Sequence, residues 1–170
     1  MFLLRKAWKF VFVGVFILTV AHPQTNPAAL KLSSPNPIPI LVENVGGWSP
    51  LSKQELEATT RLRLRRNGIN ILPSSSTTHK CRCLLYINLN VMELNNASGT
   101  PLDTFVYDLE IMFTRGDLVA KGVGATYGTV WNDSVLGYSP SSAAFRKAVP
   151  ETLESLLDMF SIGFIEANDL

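Results

Sequence analysis

The residues best suited to chemistry lie together in His79-Lys-Cys81-Arg-Cys83. On an extended strand, positions i, i+2 and i+4 project from one face. His79, Cys81 and Cys83 would then offer an imidazole and two thiolates, the ligand types that zinc and copper take. A closed site needs a further ligand, and the sequence holds only 2 histidines, the other being His22. The same cysteines continue the apolar row of Leu85 and Ile87, where a free cysteine acts as a small buried hydrophobe. They can also join as a disulfide. A core pair, a metal site and a disulfide therefore all remain open, and thiol titration separates them.

Other arrangements are weaker. Nucleophilic catalysis by Cys81 would require a histidine base and a group that orients it, and His79 on the same strand face is poorly placed for that role. Asp108 and Glu110 fall on one strand face, and paired carboxylates are what glycoside hydrolysis uses; a solvated sheet face is the simpler explanation of the same spacing. Gly122-Val-Gly124 lacks the third glycine and the strand-to-helix setting of a nucleotide fingerprint. The basic run Arg61-Leu-Arg-Leu-Arg-Arg66 falls at the end of a helical pattern, where positive charge is favoured by the helix dipole. No converging catalytic set results, which leaves enzyme status open and inclines the reading away from catalysis. No cofactor is expected unless the His79/Cys81/Cys83 set takes zinc or copper.

These residues must be positioned by elements that start well inside the chain. Arg5, Lys6 and Lys9 precede an apolar run from Phe10 to Ala21, the layout of a secretory signal peptide. That run of 12 residues is shorter than the roughly 20 a membrane-spanning helix needs. Cleavage is expected after Ala21, within Thr19-Val20-Ala21, giving an exported chain, periplasmic or extracellular, with no stable membrane span. Loss of the three leader cations leaves 12 Lys+Arg against 14 Asp+Glu, turning a formal +1 into −2. A slightly acidic chain gives no reason to expect nucleic acid as a partner. With only 2 cysteines, the exported chain must rest on a hydrophobic core rather than on staples.

From 22 to 39 the proline-rich composition predicts an extended tether, followed by one domain over 40–168. Ile40 to Val45 suits a first strand. Ser52-Lys-Gln-Glu55 is a capping box opening a helix whose Leu56, Thr60 and Leu64 share a face and which Asn67-Gly68 ends. Ile69 to Leu72 predicts a second strand. Cys83 to Met92 alternates apolar and polar, a turn at Asn95–Pro101 leads to a strand through Phe105–Phe113, and Arg115-Gly-Asp117 predicts the next turn before a strand over Leu118–Trp131. A loop is expected from Asn132 to Pro140. Phe145, Val149, Leu153, Leu156, Phe160 and Phe164 then mark an apolar helix face, with Pro150 either starting or kinking that helix. The order β-α-β-β-β-β-α implies an α+β fold: a two-layer α/β sandwich, mostly antiparallel, with two helices on one face. Its other face would carry Tyr86, Asn88, Asn90, Asp108 and Glu110.

The segments Leu62-Arg-Leu-Arg-Arg66-Asn-Gly-Ile69, Leu85-Tyr-Ile-Asn-Leu-Asn90 and Ala125-Thr-Tyr-Gly-Thr-Val-Trp131, with the tail of Leu153, Leu157 and Phe160, resemble a group of small bacterial exported proteins of unassigned function. The resemblance spans most of Ile40 to Asn168 and rests on structural motifs, so it implies a fold and no catalytic residue. The layout is also similar to small α/β domains of envelope assembly and secretion accessories. The expectation that follows is a non-enzymatic exported domain whose partner is a cell-envelope protein, bound through Trp48, Tyr86, Asn88, Asn90 and Trp131. The alternatives are a metal- or thiol-dependent envelope protein using His79, Cys81 and Cys83, and a small-molecule carrier. Oligomeric state is not specified by the sequence.

Overall fold

The computed structural model describes residues 27–32, 37–43, 45–46, 49–73, 81–120 and 124–170. The expected capping box forms at the head of helix Lys53–Arg66: the Glu55 amide donates to Ser52 Oγ at 3.2 Å and the Ser52 amide to Glu55 Oε2 at 2.7 Å. Leu56, Thr60 and Leu64 are the buried stripe, and Gly68, at φ 81, supplies the left-handed residue beyond Asn67.

Among the described residues there are seven elements: α1 (Pro27–Leu30), β1 (Ile40–Val42), α2 (Lys53–Arg66), β2 (Cys83–Asn95), β3 (Pro101–Ala120), β4 (Gly124–Ser139) and α3 (Ser142–Asn168). One sheet runs β1-β2-β3-β4, with β1 parallel to β2 across the α2 crossover and the rest antiparallel. The α+β sandwich expected from the sequence is therefore the observed architecture, with four strands in the sheet rather than five. The predicted strand at Ile69–Leu72 shrinks to a single parallel bridge, Ile38 to Ile71. Pro37 and Pro39 flank Ile38 and have no amide hydrogen to extend that ladder. The parallel partner of β1 is β2 instead, through Leu85 N to Pro39 O and Glu43 N to Ile87 O, each 3.0 Å.

Three further boundaries differ from the pattern. Arg115-Gly-Asp117 is not the turn: β3 continues to Ala120, and its register against β4 shifts between Arg115 and Leu118. Extra residues are absorbed as a bulge, pinned by the Gly116 amide on Arg82 O at 2.6 Å. The segment expected to be a loop after Trp131 is the second half of β4. Its inward positions include Asp133, Gly137 and Ser139, so no apolar alternation marks it. Within the proline-rich stretch expected to be a tether, Pro27–Leu30 forms one helical turn with Leu30 only 1% exposed. Arg115 Nη1 donates to Ala29 O at 2.9 Å and Lys31 O at 2.6 Å, and Asn168 bonds Leu32 N and Leu30 O, fastening that turn to the body.

Helix α3 begins at Ser142, capped by Ser141, so Pro150 sits inside it rather than at its start. Phe160 meets Phe113, Trp131 and Phe164 at centroid distances of 5.3, 5.3 and 5.5 Å, and Phe145 meets Phe105 and Tyr107. Burying aromatic rings of this size gives the largest contribution to such a core. Among the described residues no helix is long and apolar enough to cross a membrane.

Candidate functional site: the outer face of the sheet

The core lies between the helices and the inward row Leu85, Ile87, Leu89, Phe105, Leu109, Ile111 and Phe113, all buried. Strand geometry sends the alternate residues to the opposite face, and register aligns them in rows across three strands. Tyr86 lies beside Met112 and Asn132; Asn88 beside Glu110 and Ser134; Asn90 beside Asp108 and Leu136; Met92 beside Val106 and Tyr138. Leu41 extends the first row through its pairing with Tyr86. None of these positions holds a lysine or arginine.

The rows form a graded surface. At the hairpin end Met92 is 58% exposed, Leu136 48% and Tyr138 43%, an apolar patch with a hydroxyl; the middle is amide and carboxylate. At the far end the Tyr86 hydroxyl donates to the Glu43 carboxylate, and that bond, with partial burial, pushes the phenol up to about 12. Tyr86 thus stays a protonated donor at neutral pH, unsuited to act as a base. Asp108 and Glu110 occupy successive rows, Asp108 beside Asn90 and Leu136 and Glu110 beside Asn88 and Ser134, and among the described residues no histidine stands beside either. This surface presents amide donors and acceptors, exposed apolar groups and negative charge.

Of the residues singled out in the sequence, Tyr86, Asn88 and Asn90 are brought together here on one strand face. Trp131 is placed elsewhere: it faces inward, 6% exposed, its ring against Phe160. Trp48 and His79 lie outside the described residues. Cys81 and Cys83 are joined to each other by a disulfide and are 9% and 5% exposed. In that state they present no thiolate, and among the described residues no group of three or more His, Cys, Asp or Glu is arranged to hold a metal ion.

The densest polar cluster joins the two long helices and was not legible in the sequence. Arg63 Nε donates to Asp158 Oδ1 at 2.7 Å, Nη2 to Asp158 Oδ2 and Nη1 to Glu154 Oε2 at 3.0 Å. Asn67 Nδ2 bonds Asp158 Oδ1 and Ser161 Oγ. The Arg63 bonds hold the Asp158 carboxyl below the usual carboxylate range, and they raise Arg63. Arg61 is also engaged, by Glu57 Oε1 and Leu72 O. The basic run is therefore partly a set of fasteners within the helical layer, Arg63 holding α2 to α3 and Arg61 holding α2 to Leu72. A spacing of more than 90 residues between partners leaves no local signal.

No family model matches the chain, and no curated protein sequence matches it. Among solved structures it is similar to the PelC dodecamer from Paraburkholderia phytofirmans, in a leucine-to-methionine variant and in the unsubstituted form. The TM-scores are 0.40 and 0.39 at 16% identity, covering 89% of this chain and 97% of that chain. It is also similar to the rare lipoprotein B from Shewanella oneidensis, with a TM-score of 0.28 at 12% identity, covering 76% of this chain and 92% of that one.

Proposed function

We propose that this chain is an exported, non-enzymatic domain that binds a protein of the cell envelope through the outer face of its sheet. The export reading rests on the basic and apolar leader of Met1–Ala21. The observation that carries the binding reading is the character of this face: both long helices pack on the opposite side, while here exposed Met92, Leu136 and Tyr138 stand with Glu43, Asp108 and Glu110, and none of the paired rows described above holds a lysine or arginine. Exposed apolar groups beside a single sign of charge suit a partner with an apolar, basic surface. Charge reversal by Asp108→Lys with Glu110→Lys keeps the sheet positions and inverts that complementarity. The variant is expected to lose an envelope cross-link that the natural chain forms in intact cells; a cross-link unaffected by the reversal counts against the reading.

A second reading, thiol chemistry at Cys81 and Cys83 with or without zinc or copper, is favoured by the three-residue span of the disulfide. Loop-closure entropy gives so short a link only about 1.6 kcal/mol, which is modest for a structural staple. Thiols that react in the native exported chain, or metal uptake lost in His79→Ala, support this reading. Thiols released only by reductant in denaturant oppose it.

A further inference from the structure

The two edges of the sheet are treated differently. At one edge, β1 is three residues long and follows Pro37 and Pro39, two of the devices that keep an edge from recruiting another strand. At the other, β4 runs for 16 residues, Gly124 to Ser139, with no lysine, arginine, glutamate or proline. Its single acid, Asp133, is 8% exposed and lies on the inner face opposite Ile111, so it places no charge along the rim. The register shifts that could twist this edge away occur between Phe113 and Leu118; from Trp131 to Ser139 the pairing with β3 is uninterrupted. Among the described residues, no backbone hydrogen bond leaves Gly128–Ser139 for any element but β3.

We propose that β4 is a pairing edge for a second copy of this chain, the two β4 strands lying antiparallel about a two-fold axis. A two-fold contact must be self-complementary. An edge of serine, threonine, asparagine, valine and leucine meets its own copy without like charges opposed. With the axis near Ser134, Asn132 lies beside Leu136 of the second copy and Trp131 beside Gly137, so Asp133 does not face itself. Joining the sheets also brings the half-exposed Leu136 and Tyr138 up to a neighbour, continuing the outer face across both copies. The pairing itself uses the backbone rim of β4, whereas the face assigned above to an envelope partner is centred on β2 and β3; Leu136 and Tyr138 border both.

Sedimentation velocity on the exported chain tests the pairing. At a concentration of about 50 μM, above the dissociation constant of a micromolar dimer, the natural chain is expected to sediment as a dimer. Thr129→Lys with Asn132→Lys, both exposed edge positions, should raise the dissociation constant at least about tenfold. Leu41→Lys on the opposite edge should leave it unchanged. Amide hydrogen exchange on the unsubstituted chain gives a second measurement that needs no variant: protection within β4 should rise with concentration while that of β1 stays constant. A monomer at that concentration, a dimer indifferent to the two lysines, or concentration-dependent protection outside β4 overturns the proposal. The charge-reversed Asp108/Glu110 variant should still dimerise, so this proposal and the envelope-partner reading fail separately.

Discussion

The ring of Tyr107 lies across Gly137 of the neighbouring strand, in the space that a Cβ at residue 137 would occupy; Cε1 of the ring would stand 2.6 Å from such an atom. The two residues are directly paired between β3 and β4. Tyr107 is buried and meets Phe145 edge-on at 5.4 Å, so its ring cannot easily swing aside. Gly137 thus lets a large ring cover a strand position where no side chain fits.

Gly137→Ala should therefore destabilise the fold although it adds one methyl group. Overpacking of this kind costs about 1–3 kcal/mol. Urea unfolding should show a lower midpoint with an unchanged slope, and an unaltered midpoint would contradict the packing described.

The Arg63–Asp158 pair makes a pH prediction. The folded-state carboxyl of Asp158 is depressed, chiefly by its hydrogen bonds from Arg63. Its stabilisation is accordingly present above the ordinary aspartate value of about 3.9 and is lost as pH falls through the lower folded value. The two side chains are 27% and 36% exposed, which discounts the contribution to about 1 kcal/mol. Asp158→Asn should lower stability by about that amount at neutral pH, with a difference from the natural chain that shrinks as pH falls below the ordinary aspartate value of about 3.9. A difference constant with pH would contradict the assignment.

Asp103 sits at φ 50 within β3 and accepts from the amide of Ser142 at 3.1 Å and from the Ser142 hydroxyl, at the head of α3. A carboxylate there complements both the free amides and the helix dipole. Asp103→Ala should cost about 1 kcal/mol. Asp103→Asn should cost less, since asparagine tolerates the left-handed backbone and can still accept the bond. Thermal unfolding of the pair ranks them, and an alanine variant as stable as the asparagine one would contradict this capping role.

The fold was legible wherever burial and period coincide. The α2 capping box, the alternation of Cys83–Met92 and the apolar stripe ending at Phe164 each announce their element, because each buries one regular face. The failures share a different cause. In the second half of β4, Asp133 and Gly137 occupy inward positions where the pattern requires apolar residues, since Tyr107 fills the space above the glycine from the neighbouring strand. The docking of Leu30 depends on Arg115 and Asn168, distant in sequence. Tyr86, Asn88 and Asn90 could be grouped from alternation alone. Their neighbours Leu136 and Tyr138 could not, because they lie in a segment that reads as loop. Trp131 reads equally well as surface aromatic or core, and only its position against Phe160 decides between them.

The claim that the outer sheet face binds a partner is tested most directly by a photo-reactive residue placed at Asn90, on that face, in intact cells of the native host. One discrete adduct with an envelope protein is expected, distinct in mass from a dimer of the chain and lost on charge reversal at Asp108 and Glu110. No adduct from Asn90, or one that persists unchanged in the reversed variant, would contradict it.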